Sequence, residues 1–338
     1  MTEAALVSIV MPVKNASQYL RECLDSLLLQ SLANWELLVV DDHSEDNSFF
    51  ILQEYALLDS RIKVLQLEKN KNGIIPALQL AYSNSSGAYV TRMDADDLMS
   101  DDKLSLMSSR LRTKGKGFVA IGWVSYFSGE GVGEGYKKYA SWLNELTGNE
   151  SNFSEIYKEC VVPSPCWMME RSDFELIGGF ESDLYPEDYD LCFRMRKHTL
   201  KITGIKEVLH YWRDHTSRAS RNDPNYKDNR FLTLKMSYFL NEDLKRDANL
   251  ILWGAGKKGK EIAKVLLKKS APFIWMSNNP KKIGHNIYGV FLQSDDDIDS
   301  YSNLQVIIAI AKPDERRDTI ATMESMGLVL GADYFPYC

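Results

Sequence analysis

The segment RMDADD places Asp94, Asp96 and Asp97 within four positions, directly after an apolar run. Like charges this close repel one another, so either water solvates each of them on a loop or a cation lies between them. Alternate residues of an extended segment point the same way, which lets Asp94 and Asp96 face one site. Hard oxygen donors of this kind suit Mg2+ or Mn2+. A second pair, Asp41 and Asp42, follows WELLVV, and a third group is made by Glu187, Asp188 and Asp190 within PEDYDL and Asp183 just before it. A carboxylate in such a group can take a proton from a hydroxyl. The plainer roles are helix capping for Asp41 and Asp42 and favourable charge at a helix N-terminus for the third group.

Alternating strands and helices must position these acids. Strands are expected at 6–13, 35–40, 62–67, 88–93 and 118–127. Helices are expected at 17–32 with Ser17 as its cap, within 41–58, at 73–82, and from Asp101 to about Arg112. That alternation predicts an α/β fold, a mostly parallel, doubly wound sheet with helices on both faces. Ligands of such sheets bind outside the carboxyl ends of the strands. Asp41–Asp42 and Asp94–Asp96 both sit at such ends. Residues 128–135 read as a flexible loop, and no regular period follows up to 165. A strand, a short helix and a Gly-Gly turn are expected within 161–180, a helix at 187–198, a strand at 205–215 and a closing helix at 225–246.

The chain has 338 residues, a formal net charge of −7 and five cysteines with no metal-site spacing. That length suits two domains. Residues 1–247 carry 29 basic and 37 acidic side chains, and residues 248–338 carry 11 and 10. An acidic surface argues against a nucleic-acid partner, which calls for basic groups facing phosphates. The unpaired cysteine count fits a reducing compartment. No window approaches the length of a transmembrane segment. A cytoplasmic protein is expected, touching the inner face of the membrane at most peripherally.

Taken in order, SIVMPVKN at 8–15, ELLVVDDHSEDNS at 36–48, RMDADD at 92–97, IGGF at 177–180 with PEDYDL at 186–191, and YWRDHTSRAS at 211–220 resemble the family 2 glycosyltransferases. The resemblance implies a GT-A fold and an inverting transfer of a sugar from a nucleotide-sugar donor, with a UDP-sugar as the expected donor. The acceptor would be a glycan or a lipid-linked saccharide of surface polysaccharide synthesis. It implies that Asp96 binds Mg2+ or Mn2+, with Asp94 on the ribose or the metal. His215 would reach the metal or the diphosphate, with His210 as its competitor. Asp42 would read the nucleotide base, near Pro12, Asn15 and Asp41. Asp188 is the implied base and Glu187 its rival; residue types do not separate them. Arg213 and Arg218 would meet the diphosphate as it leaves. Lys14 stands where many family members carry Tyr. Trp142 and Trp167 are candidate acceptor contacts, Trp142 because its segment lacks a regular period.

The division expected is a GT-A domain at 1–246 and a smaller Rossmann-like α/β domain at 247–338. In the latter, strands are expected at 249–253, 272–280 and 304–313. Gly254, Gly256 and Gly259 of GAGKKG follow the first of these and open a helix, as in a dinucleotide loop. The end of the next strand offers Ser277, Asn278 and Asn279 where a carboxylate would hold ribose hydroxyls. Two other functions stay open on sequence: an NAD-dependent oxidoreductase of nucleotide sugars, and a sugar-binding scaffold without catalysis.

Overall fold

A computed structural model describes residues 5–129, 131–216, 218 and 230–338. The chain forms two compact units: Met1–Asn152 with Val161–Asp223, and Phe153–Cys160 with Pro224–Cys338.

The first unit starts as β1 (Val7–Val13), α1 (Leu20–Leu28), β2 (Trp35–Asp41), α2 (Ser48–Leu58), β3 (Ile62–Gln66), α3 (Ile74–Ser83) and β4 (Tyr89–Arg92). Every residue of β2, and all of β1 except half-buried Pro12, is buried. That is why both read as unbroken apolar runs, the mark of strands covered on both faces. Then come β5 (Leu98–Met99), α4 (Lys103–Lys114), β6 (Phe118–Phe127), α5 (Glu134–Gly148), β7 (Trp167–Glu170), α6 (Arg171–Leu176), α7 (Glu187–Lys197) and β8 (Lys201–Arg213).

The sheet order is β3-β2-β1-β4-β7-β6-β8-β5. The first four strands are mutually parallel, β7 runs against β4 and β6, and β8 is parallel to β6. Val13 pairs with Asp41 and Val10 with Arg92, so both acid clusters leave the sheet at its carboxyl edge. The two-residue β5 pairs Leu98 with Tyr211 and Met99 with His210, which ties the loop after β4 to β8. Leu20, Cys23, Leu24 and Leu27 of α1 pack into the core with Ile9, Met11, Leu37 and Val39.

Three local expectations need correction. Residues 134–148 are a helix, α5, with Ala140, Leu143 and Leu146 buried. Its period is hidden because Tyr136, Tyr139 and Trp142 give the partly exposed side an apolar look. The first helix is shorter than 17–32, and Ser17 does not cap it; its N–H instead donates to Asp46. The last strand begins at Lys201, not 205.

The second unit contains α8 (Arg230–Tyr238), β9 (Asn249–Trp253), α9 (Lys257–Lys268), β10 (Ile274–Ser277), β11 (Asn286–Ile287), β12 (Val290–Ser294), β13 (Leu304–Ile308), α10 (Pro313–Ser325) and β14 (Tyr334–Pro336). Its sheet order is β11-β12-β10-β9-β13-β14, parallel except for β11. The α8 helix, assigned to the first domain on sequence, lies in this unit, as does the excursion 153–160. Tyr157 of that excursion is buried against Phe239, Phe335 and Tyr337, with ring centroids 5.8, 5.4 and 5.2 Å away. No helix among the described residues is long and apolar enough to cross a membrane.

Candidate active site

The carboxyl edge of the first sheet gathers the predicted acids, and their hydrogen bonds sort them. Asp41 ends β2, Asp42 follows it, and both are buried. Asp41 Oδ2 accepts the Ser44 N–H, an ordinary turn contact. Asp42 Oδ2 accepts from Lys14 Nζ at 3.2 Å and from the Gly73 N–H at 3.0 Å. Its Oδ1, like that of Asp41, is buried and meets no hydrogen-bond partner among the described residues. A buried acceptor left open this way costs stability unless a ligand donor fills it. Neither Asp41 nor Asp42 caps α2: its N-cap position is Asn47, and the Ser48 N–H that opens the helix is met by Asp46, which also accepts the Ser17 N–H. Pro12 lies one residue before the end of β1 and is half-buried. Asn15 is exposed and adopts a left-handed conformation with φ of 51°. It staples the loops after β1 and β2 together: its Oδ1 accepts the Glu45 N–H and its own N–H donates to Ser44 Oγ.

The loop after β4 carries the D-x-D acids. Asp96 Oδ2 lies 2.9 Å from His215 Nε2. His215 is thus the histidine that meets the motif. His210 is buried elsewhere, between Asp97 and Lys103. Asp94 Oδ1 receives Arg92, whose other arm reaches Glu187 Oε1 at 2.8 Å. Burial works against the charge on Arg92, yet Asp94 and Glu187 outweigh it and hold its pKa above the ordinary guanidinium value. Arg92 has no role assigned from sequence, although it lies within RMDADD. Nothing in the spacing reveals a partner 95 positions away.

The third acid group separates cleanly. Asp183 is exposed, Asp190 pairs with Arg194 at 2.7 Å, and Glu187 is engaged by Arg92. Asp188 accepts from Ser164 Oγ at 3.0 Å and from the Tyr189 N–H, and it has no ion pair among the described residues. Burial, and after it the charge of Glu187, pushes the Asp188 carboxyl up to about 7. A carboxylate poised near neutrality is suited to proton abstraction.

Arg213 is already committed. Its Nε donates to the Asp96 carbonyl at 2.8 Å, its terminal nitrogen pairs with Glu22 at 2.7 Å, and it stacks on Tyr19 and Phe127. It therefore props the D-x-D loop. Arg218 lies over the rings of Tyr126 and Trp212 at 5.6 and 6.0 Å. Its charge is opposed by burial and favoured by Asp97, Tyr126 and Asp96, with a net upward shift.

Trp167 is not an acceptor contact. It is 1% exposed, on β7, stacked on Phe174 at 5.5 Å. Trp142 is half-buried on α5 beside Tyr139, and its segment is regular after all. In the second unit, a Cβ on Gly254 would meet the Ala309 carbonyl at 2.7 Å, and one on Gly259 would meet the Gly254 carbonyl at 2.0 Å. Close packing of β9, α9 and the end of β13 requires both glycines, so the loop needs no dinucleotide to explain them. A Cβ on Gly256 would meet nothing within 4 Å.

Among the described residues no three His, Cys, Asp or Glu side chains converge as a ready-made cation site. The touching pair Asp96–His215, with Asp94 nearby in the loop, does fit a hard cation. Such an ion is bound by one or two carboxylates and completed by phosphate and water.

Residues 8–178 match the model of the family described as Glycosyl transferase family 2. Glycosyltransferase GlyG of Streptococcus pneumoniae serotype 4 is 32% identical over 126 residues, 37% of this chain and 42% of that protein. A protein of Escherichia coli, UDP-Glc:alpha-D-GlcNAc-diphosphoundecaprenol beta-1,3-glucosyltransferase WfgD, is 42% identical over 106 residues, 31% of this chain and 41% of that one. The chain thus spans less than half the length of these curated relatives. In fold it is similar to S. aureus TarS 1-349 solved with UDP-GlcNAc, with a TM-score of 0.52 and 20% identity over 71% of this chain and 68% of that one.

Proposed function

Since the chain belongs to glycosyl transferase family 2, we propose that it transfers a sugar, with inversion, from a UDP-sugar to a hydroxyl of a glycan or lipid-linked acceptor. The observation that carries this reading is the sorting of the α7 acids: Glu187 and Asp190 are paired with arginines, while Asp188, with a pKa of about 7, is left to act. The printed activity of the Escherichia coli relative, which uses UDP-Glc and a diphosphoundecaprenol-linked sugar, supports the donor and acceptor classes. The putative teichuronic acid glycosyltransferase TuaG of Bacillus subtilis, 41% identical over 99 residues, supports a place in surface polysaccharide synthesis. With a lipid-linked acceptor, the reaction would take place at the inner face of the membrane.

In this reading the open Oδ1 of Asp42 accepts the imide N–H of uracil. Asp96, with His215 and Asp94, holds a Mg2+ or Mn2+ ion, which when bound neutralises the departing diphosphate. Arg218 adds positive charge beside Asp96. Asp188 takes the proton of the acceptor hydroxyl as it attacks the anomeric carbon from the face opposite the leaving group. Ser164 keeps the Asp188 oxygen aimed. A thermal-shift panel of UDP-, GDP- and TDP-sugars, each with and without Mn2+, tests the reading. The expected result is a UDP-sugar shift that grows with Mn2+; a shift confined to another base, or none, contradicts it.

A further inference from the structure

Behind the site lies a chain of buried ionisable groups that the mechanism leaves unused. Lys103, the first residue of α4, is 0% exposed, His210 of β8 is 1% and Asp97 is 0%. Lys103 Nζ donates to the Pro165 carbonyl and faces His210 Nδ1 at 3.3 Å. His210 Nε2 faces Asp97 Oδ2 at 3.0 Å, and Asp97 Oδ1 accepts the Arg213 N–H at 2.8 Å. A lysine nitrogen facing Nδ1 and an Asp97 oxygen facing Nε2 favour one tautomer, in which Nδ1 accepts and Nε2–H donates. Replacing such a trio by apolar side chains of similar volume is often neutral or stabilising. Fold stability alone therefore does not account for it.

What it touches does. Pro165 belongs to the short 3-10 turn Ser164–Cys166, and Ser164 Oγ is the group that holds Asp188 Oδ2 at 3.0 Å. At the other end, Asp97 follows Asp96 directly, and Arg213, which it orders, grips the Asp96 carbonyl. We propose that Lys103, His210 and Asp97 are positioning residues. They form a relay that sets the Ser164 turn, and with it Asp188, in register with the Asp96 loop. This rests on the reading of Asp188 as the base, and it adds that the aim of the base is governed by a lysine that touches neither substrate nor Asp188.

The test uses Lys103→Met, which keeps an unbranched side chain only one atom shorter and removes its donors. In its crystal structure the Ser164 Oγ–Asp188 Oδ2 hydrogen bond should be lost. Turnover of the UDP-sugar that stabilises the protein most should fall on the order of 10- to 100-fold, as small misplacements of reacting groups do. Affinity for UDP alone should change by less than about twofold. Because the effect runs through Ser164, Lys103→Met should add less than about twofold in a Ser164→Ala background. A folded Lys103→Met protein with that hydrogen bond intact, or full multiplicative effects in the double variant, overturns the relay. If Lys103→Met does not fold, Ser164→Ala decides alone: reduced turnover at unchanged UDP affinity supports the relay, and unchanged turnover overturns it. Asp188→Asn, measured in parallel, separates the two claims. If it turns over normally the base assignment fails; if it is inactive while Lys103→Met is not, only the relay fails.

Discussion

Arg92 and Glu187 lie 95 positions apart in the chain, yet a 2.8 Å ion pair joins them, with the Arg92 side chain only 5% exposed. The same guanidinium holds Asp94. One buried cation thus locks the D-x-D loop to the first turn of α7 and occupies the acid that rivals Asp188.

Arg92→Leu should leave Asp94 and Glu187 facing each other without compensation. Breaking a buried pair by removing one partner costs about 3–5 kcal/mol, which urea unfolding would register as a lower midpoint. In a Glu187→Gln background the loss should be smaller, since one of the stranded charges is gone. Equal losses in both backgrounds would show that the pair is not coupled.

The pH dependence follows from Asp188. Its carboxyl is pushed up to about 7 by burial and then by Glu187, and it accepts a proton only when ionised. kcat/KM should rise with pH through an apparent pKa near 7. Glu187→Gln removes a charge that raises that value, so the limb should move to lower pH. Stability runs the other way. The folded-state value exceeds the unfolded one of about 3.9, so the stabilisation from this group is complete below about pH 4 and fades as pH rises through 7. Asp188→Asn should flatten the fall in Tm between those values. A limb that stays in place in folded Glu187→Gln contradicts the electrostatic account.

Asp96→Ala should leave the fold intact and remove the extra thermal shift that Mn2+ gives in the presence of UDP. Binding measured by calorimetry should lose its dependence on the metal. Retention of a metal-dependent shift would move the cation to other ligands.

Asp42→Asn keeps the shape of the side chain but loses the charge that pairs with Lys14. It should weaken UDP binding about tenfold, in line with a charge-assisted hydrogen bond of roughly 1.5–3 kcal/mol. Mn2+ affinity should be untouched. A variant with wild-type UDP affinity would remove Asp42 from the base pocket.

How far the sequence carried depends on where the partners lie. The strands β1, β2 and β6 were legible because they are apolar along most of their length. The acid clusters were legible because strand ends are marked by a switch from apolar to charged residues. The helix α5 was hidden by its own surface, where Tyr136, Tyr139 and Trp142 mimic core residues and Gly133 and Gly135 suggest a loop. Trp167 looked available because nothing in its neighbours announces that Phe174 and Phe180 will cover it. The roles of Arg92 and Lys103 were out of reach, since each is defined by a contact about a hundred positions away. The excursion 153–160 packs with a unit whose main part begins some 60 residues later, which no local pattern reveals.

The central claim is that Asp188 is the base of a sugar transfer from UDP. Single-turnover transfer by Asp188→Asn, with UDP and Mn2+ affinity measured on the same protein, tests it most directly. Turnover should drop by roughly 10²–10⁴ while both affinities stay close to those of the unmodified chain, as expected when a general base alone is removed. Transfer at an undiminished rate in that variant would contradict the account.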